Sequence, residues 1–241
     1  MVKWLAFIVL LQTCSAWGAS AVQNDLPLVY LEHTQSGSNS RPVIIFLHGY
    51  GGNEEVLFEL RNSLPTAYTY LSVRAPQALA EGGFEWFDKT NRDGEYDGDS
   101  AQVKNSEKLI ADFVAAAIKK YRVPANKVFL VGFSQGAMMS YYVALHYPLG
   151  VGGVAILSGT MLPALRAEVR PDVALNLPAI FIAHGTADTT LPIDLAVQAD
   201  HLLKQGSATV QFHAYPGLGH AFNEAEVSDL RRWLENANRG A

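Results

Sequence analysis

Ser134 stands in Gly132-Phe133-Ser134-Gln135-Gly136, a G-x-S-x-G pattern that ends a run of β-formers, "KVFLVGFS" (127–134), and precedes a helix-like run, "QGAMMS". A nucleophile elbow has this form. The serine takes up a strained backbone at a tight turn and aims its Oγ away from the sheet. The positions two residues to either side must be small, because strand and helix nearly touch there. The helix that begins next points its N-terminal N–H groups at the reacting centre. The same residues also suit an ordinary strand-to-helix corner that needs only small side chains. The segment alone leaves both readings open.

A serine hydroxyl needs a base near neutral pH, and the base needs an orienting acid. In elbow-type sites the partners follow in chain order Ser, acid, His. His220, in "YPGLGHAFN", comes directly after the last strand-like run, in a loop freed by Gly217 and Gly219. Asp188, in "HGTADTTLP", follows the penultimate one. A carboxylate there would hold the imidazole tautomer and stabilise the imidazolium; it also suits a turn aspartate that bonds its own backbone. Asp194 competes, but it falls just inside a helix opened by Pro192, where acids are routine. His48 and His184 are read as structural and hydrogen-bonded. His33, His146, His201 and His213 have no comparable loop setting. Acyl transfer also needs oxyanion donors, and two backbone N–H groups are candidates. One is that of Gln135, after the serine. The other is that of Tyr50 in "FLHGYGGN", where glycines let the backbone approach.

These residues need strands to carry them. Seven apolar runs read as strands: 28–32, 42–49, 68–76, 127–134, 153–159, 179–185 and 209–216. The middle ones are nearly continuous in Val, Ile, Leu and Phe, as in parallel sheets covered on both faces. Helical patterns alternate with them. Residues 100–121 repeat Val103, Ile110, Phe113, Ala117 and Tyr121 on one face, with Asp99 and Gln102 at capping-box spacing. Residues 192–206 lie between Pro192 and Gly206, and residues 222–236 set Val227, Leu230, Trp233 and Leu234 on one side. The expected fold is α/β: a mostly parallel central sheet of about seven strands with helices on both faces, no separate lid domain, and a site at the strands' carboxyl ends. The stretch 81–100 reads as a long irregular loop, too polar to pack as a unit, carrying Phe84, Trp86 and Phe87. Those aromatics either wall an acyl-chain site or pin the loop to the core.

The chain has 241 residues, 49% hydrophobic and 17% charged, which suits one folded domain with a sizeable core. A net charge of −5 without a basic run argues against a nucleic-acid partner. The first 21 residues differ from the rest. Lys3, an apolar run from Trp4 to Leu11 and the triplet Ala19-Ser20-Ala21 read as a cleavable signal peptide, leaving residues 22–241 as one exported domain. The apolar run is too short for a membrane span of about 20 residues. Cys14, the only cysteine, would leave with the segment. The mature chain would then have no disulfide and no thiolate metal site, and its net charge would go from −5 to −6 because Lys3 is lost. No His/Asp/Glu cluster has metal-ligand spacing, and no cofactor motif occurs.

"FLHGYGGNEE", "RAPQ", "GGFEWFD", "VFLVGFSQGAMMS", "AILSG", "IAHGTADTTLPI" and "YPGLGHAF" occur in an order that resembles the phospholipase/carboxylesterase family of α/β-hydrolases, which includes acyl-protein thioesterases. The resemblance spans residues 28–236. It implies a serine esterase acting on small-molecule esters, with Ser134, Asp188 and His220 as the triad and Tyr50 and Gln135 as oxyanion donors. It also implies that Trp86 stands beside the acyl site. The export signal departs from the many cytosolic members. The triad alone leaves lysophospholipase, thioesterase and peptidase activity open. A non-catalytic binding protein on the same scaffold would show a broken triad, and here all three members are present.

Overall fold

The computed structural model describes residues 21–34, 41–92, 95–148, 150–170 and 176–240. The signal-peptide reading therefore lies almost wholly outside the described residues. Among the described residues the central sheet has eight strands, in the order β1-β2-β4-β3-β9-β10-β11-β12. They are β1 (Val22–Gln23), β2 (Tyr30–His33), β3 (Val43–Leu47), β4 (Thr69–Val73), β9 (Val128–Phe133), β10 (Gly153–Leu157), β11 (Ala179–Gly185) and β12 (Val210–Tyr215). β2 pairs antiparallel with both β1 and β4 at one edge, and the pairs β4–β3, β3–β9, β9–β10, β10–β11 and β11–β12 are all parallel. All seven expected strands form. The eighth, β1, is two residues long, too short to leave a pattern in the sequence.

The continuous apolar runs are explained by two cores, one on each face of the sheet. Val43, Ile45 and Leu47 of β3 face one side with Leu130 and Ile156. Ile44 and Phe46 face the other with Phe129, Val131 and Phe181. Helices α1 (Ser100–Tyr121), α2 (Gln135–His146), α3 (Pro163–Glu168) and α4 (Ile193–Gln205) cover the first face. Helix α5 (Glu224–Gly240) and a short 3-10 turn, Phe58–Ser63, cover the second through Leu230, Trp233, Leu234, Phe58 and Leu60. Among the described residues no helix is long and apolar enough to cross a membrane, and no separate lid domain is present.

The described residues of the stretch 81–100, read above as a long irregular loop, instead contribute to two small ladders. β5 (Gln77–Ala78) pairs with β6 (Phe84–Glu85), and β7 (Lys89–Arg92) pairs with β8 (Glu95–Gly98), both antiparallel. The capping box at α1 is half made. Asp99 Oδ1 accepts from the N–H groups of Ala101 and Gln102 at 3.1 and 2.9 Å. The Gln102 side chain turns to Asp88 instead, accepting from its N–H at 2.5 Å and donating to its carboxylate at 3.0 Å.

Candidate active site

Ser134 sits between β9 and α2 with φ 53° and ψ −117°, a backbone region that costs a non-glycine residue about 1–3 kcal/mol. The neighbours must be glycine. A Cβ on Gly132 would lie 2.4 Å from Gly136 O, and one on Gly136 would lie 2.0 Å from Leu47 O. The elbow is thus pressed into the end of β3. The turn that follows β3 lies against it too, since a Cβ on Gly49 would come within 3.1 Å of Ser134 Cβ.

Ser134 Oγ is 3.0 Å from His220 Nε2, and His220 Nδ1 is 2.7 Å from Asp188 Oδ2. The Phe133 ring packs on the imidazole with centroids 5.1 Å apart. The loops carrying the acid and the histidine are tied together: the Ala187 N–H donates to Leu218 O, and the Gly217 N–H to Thr186 Oγ1, each at 2.9 Å. Asp188 has a side chain with no solvent exposure. Burial opposes its ionisation, but donation from Leu191 N–H, His220 and Thr190 N–H outweighs that and holds its carboxyl below the usual range. Both N–H bonds to its Oδ1 are 2.9 Å. Asp194 lies in the first turn of α4 instead.

The other two histidines of the strand ends brace the site. Ala75 N–H donates to His48 Nε2 at 3.1 Å, so Nδ1 carries the proton and donates to Gly49 O at 2.7 Å. Burial holds its pKa below the ordinary value, so the ring is neutral. His184 donates from Nε2 to Leu191 O at 2.8 Å and lies 3.3 Å from Asp188 Oδ2. Its Nδ1 is buried without a partner among the described residues, so the expectation of a hydrogen-bonded ring holds at both nitrogens of His48 and at one of His184. Burial again keeps His184 uncharged.

Gln135 opens α2, so its N–H has no intrahelical acceptor. The N–H groups of Gly51 and Gly52 are bonded to Phe84 O and Gly49 O, at 3.0 and 3.1 Å. Tyr50, between Gly49 and Gly51, lines a cavity of about 750 Å³ together with Ser134, His220, Gly49, Phe133, Glu85, Asp88, Lys89, Tyr96 and Thr190. The expected aromatic wall is not part of that lining. Trp86 and Phe87 are fully buried, and Phe84 pairs through its backbone with Ala78 and Gly52. Trp86 Nε1 donates to His48 O at 2.8 Å, and its carbonyl accepts from Gln77 and Ser106. Those aromatics pin the segment to the core, and in doing so they turn Glu85 and Asp88 toward the cavity.

One contact had no sequence signal. The buried Gln135 amide accepts from Trp86 N–H at 3.0 Å and donates to Phe87 O at 2.8 Å and Tyr96 Oη at 3.3 Å. It clamps the 84–98 segment to the helix that holds the serine. Ser158, after β10, takes φ 47° and donates to Ala221 O at 3.4 Å, bracing the residue beside His220.

A family model described as Phospholipase/Carboxylesterase matches residues 31–238. Acyl-protein thioesterase 1 of Debaryomyces hansenii is 30% identical over 229 residues, covering 88% of this chain and 97% of that protein. Carboxylesterase SOBER1 of Arabidopsis thaliana is 28% identical over 215 residues, covering 84% and 93%. Among solved structures, a carboxylesterase from Mesorhizobium loti superposes with a TM-score of 0.76 at 23% identity, covering 90% of this chain and 98% of the other. The Bacillus cereus carboxylesterase gives 0.71 at 24% identity, covering 86% and 93%. At these identities the solved structures speak to the fold alone, and that fold is the α/β-hydrolase.

Proposed function

Because the chain belongs to the phospholipase/carboxylesterase family, we propose that it is a serine hydrolase that cleaves carboxylic esters through an acyl-enzyme on Ser134. The carrying observation is the chain of two contacts from Ser134 Oγ to His220 to the buried Asp188, at 3.0 and 2.7 Å. His220 Nε2 takes the hydroxyl proton as Oγ bonds to the ester carbonyl carbon, and the carbonyl pair moves onto oxygen. The N–H groups of Tyr50 and Gln135 hold that oxyanion. The carbonyl re-forms, the C–O bond to the alcohol breaks, and His220 gives its proton to the leaving oxygen. Water then attacks the acyl-enzyme by the same steps and frees the acid.

Ser134→Ala should abolish hydrolysis of a p-nitrophenyl short-chain ester while the thermal transition persists. Retained turnover in that variant refutes the assignment. The similarity to acyl-protein thioesterase 1 supports thioester cleavage as a second reading. Matched esters and thioesters, compared by kcat/KM, separate the two. Export belongs to the same proposal, supported by Lys3, the apolar run that follows it and Ala19-Ser20-Ala21.

A further inference from the structure

Glu85, on β6, is only 6% exposed, and it lines the cavity beside Ser134. Among the described residues no Lys, Arg or His forms an ion pair with it; its side chain meets the carboxyl of Asp88 instead. A carboxylate buried without a counter-charge is costly. Burial first, then Asp88, then Glu81, push Glu85 up to about 7. The same cavity already holds one ammonium. Lys89 Nζ lies 5.1 Å over the centroid of the Tyr96 ring, within the range of a cation–π contact.

From this arrangement we infer that the cavity selects esters carrying a positively charged ammonium group, which Glu85 and Asp88 bind against the Tyr96 ring, in the place that the Lys89 ammonium takes up when no substrate is bound. The inference rests on the hydrolase reading and names its substrate class. A long apolar acyl chain would leave the Glu85 and Asp88 carboxyls facing one another across the cavity, whereas a substrate cation would favour ionisation of both and is attracted by the aromatic face.

The test uses two matched pairs of substrates on the full protein. One pair is butyrylcholine and its uncharged isostere with carbon in place of the quaternary nitrogen. The other is the ethyl ester of a trimethylammonio acid and its carbon isostere. In at least one pair the charged ester should have a kcat/KM about tenfold higher, the size of one desolvated cation–π or ion-pair contact. Glu85→Gln should bring that ratio toward one, and Lys89→Met, which removes the resident ammonium, should raise it. Tetramethylammonium should inhibit hydrolysis of the neutral ester competitively, a readout that stands if Glu85→Gln does not fold. Equal or slower hydrolysis of both charged esters, with the neutral ones cleaved, overturns the inference and leaves the hydrolase intact. No cleavage of any of the four, together with no turnover of p-nitrophenyl esters or of matched thioesters, overturns the hydrolase reading itself.

Discussion

At the residue scale the candidate site depends on a serine that the backbone holds under strain and an acid whose ionisation burial opposes. Asp188 stays ionised because Leu191 and Thr190 N–H groups and His220 all donate to it. Its value lies in fixing His220 with the proton on Nδ1 and the lone pair facing Ser134. Asp188→Asn keeps the shape and presents the wrong hydrogen-bonding partner to Nδ1, so kcat should fall by about 10⁴ with KM little changed. A change in KM alone would show that Asp188 only shapes the pocket. The geometry of Ser134, Asp188 and His220 was legible because chain order and strand position restrict the choice sharply. The Gln135 amide was not legible, because the G-x-S-x-G pattern leaves that position free. Its side chain is dictated by peptide groups 49 and 48 residues away, at Trp86 and Phe87. Glu85 and Asp88 were passed over for the aromatics beside them, since apolar residues near a site suggest a wall before carboxylates do.

At the element scale, strands buried on both faces announce themselves as unbroken apolar runs, and β3, β9, β10 and β11 were readable for that reason. The 81–100 stretch was misread because its polarity suggested an irregular loop too polar to pack as a unit. Its hydrogen bonds are met by backbone ladders and by Gln77, Gln102, Ser106 and Gln135, none of which the local sequence reveals. Helix α5 was legible by its apolar stripe, but it also buries Glu226, whose two carboxyl oxygens have no partner among the described residues. Burial first, then Asp229, raise Glu226 to about 8, above the ordinary carboxylate value. A carboxyl raised on folding stabilises the fold below its unfolded pKa, and that contribution is lost as pH rises through the folded value. Raising pH from about 5 to about 8 should therefore lower the wild-type Tm relative to Glu226→Gln, by about 2–4 °C for each kcal/mol lost. Parallel Tm curves for the two proteins would show that Glu226 does not titrate in that window.

At the scale of the whole molecule, the two cores rigidify a sheet whose parallel strands all deliver their carboxyl ends to one rim. Ser134 after β9, Asp188 after β11, His220 after β12 and Tyr50 after β3 meet there from positions up to 170 residues apart in a chain of 241. The sheet itself begins at Val22 in β1. Cleavage of an export signal after Ala21 would leave every described strand in place. The mature protein recovered from secreting cells should begin at Val22, as read by intact mass and N-terminal sequencing; an intact Met1 end on the functional protein would refute export.

The proposed hydrolysis requires Ser134 to be the nucleophile of an acyl-enzyme. Its most direct test is reaction with a fluorophosphonate, followed by peptide mass spectrometry. A single phosphonyl adduct on Ser134, blocked by prior incubation with an ester substrate and absent from Ser134→Ala, is the expected result. No adduct, or one carried by another residue and still present in Ser134→Ala, would contradict it.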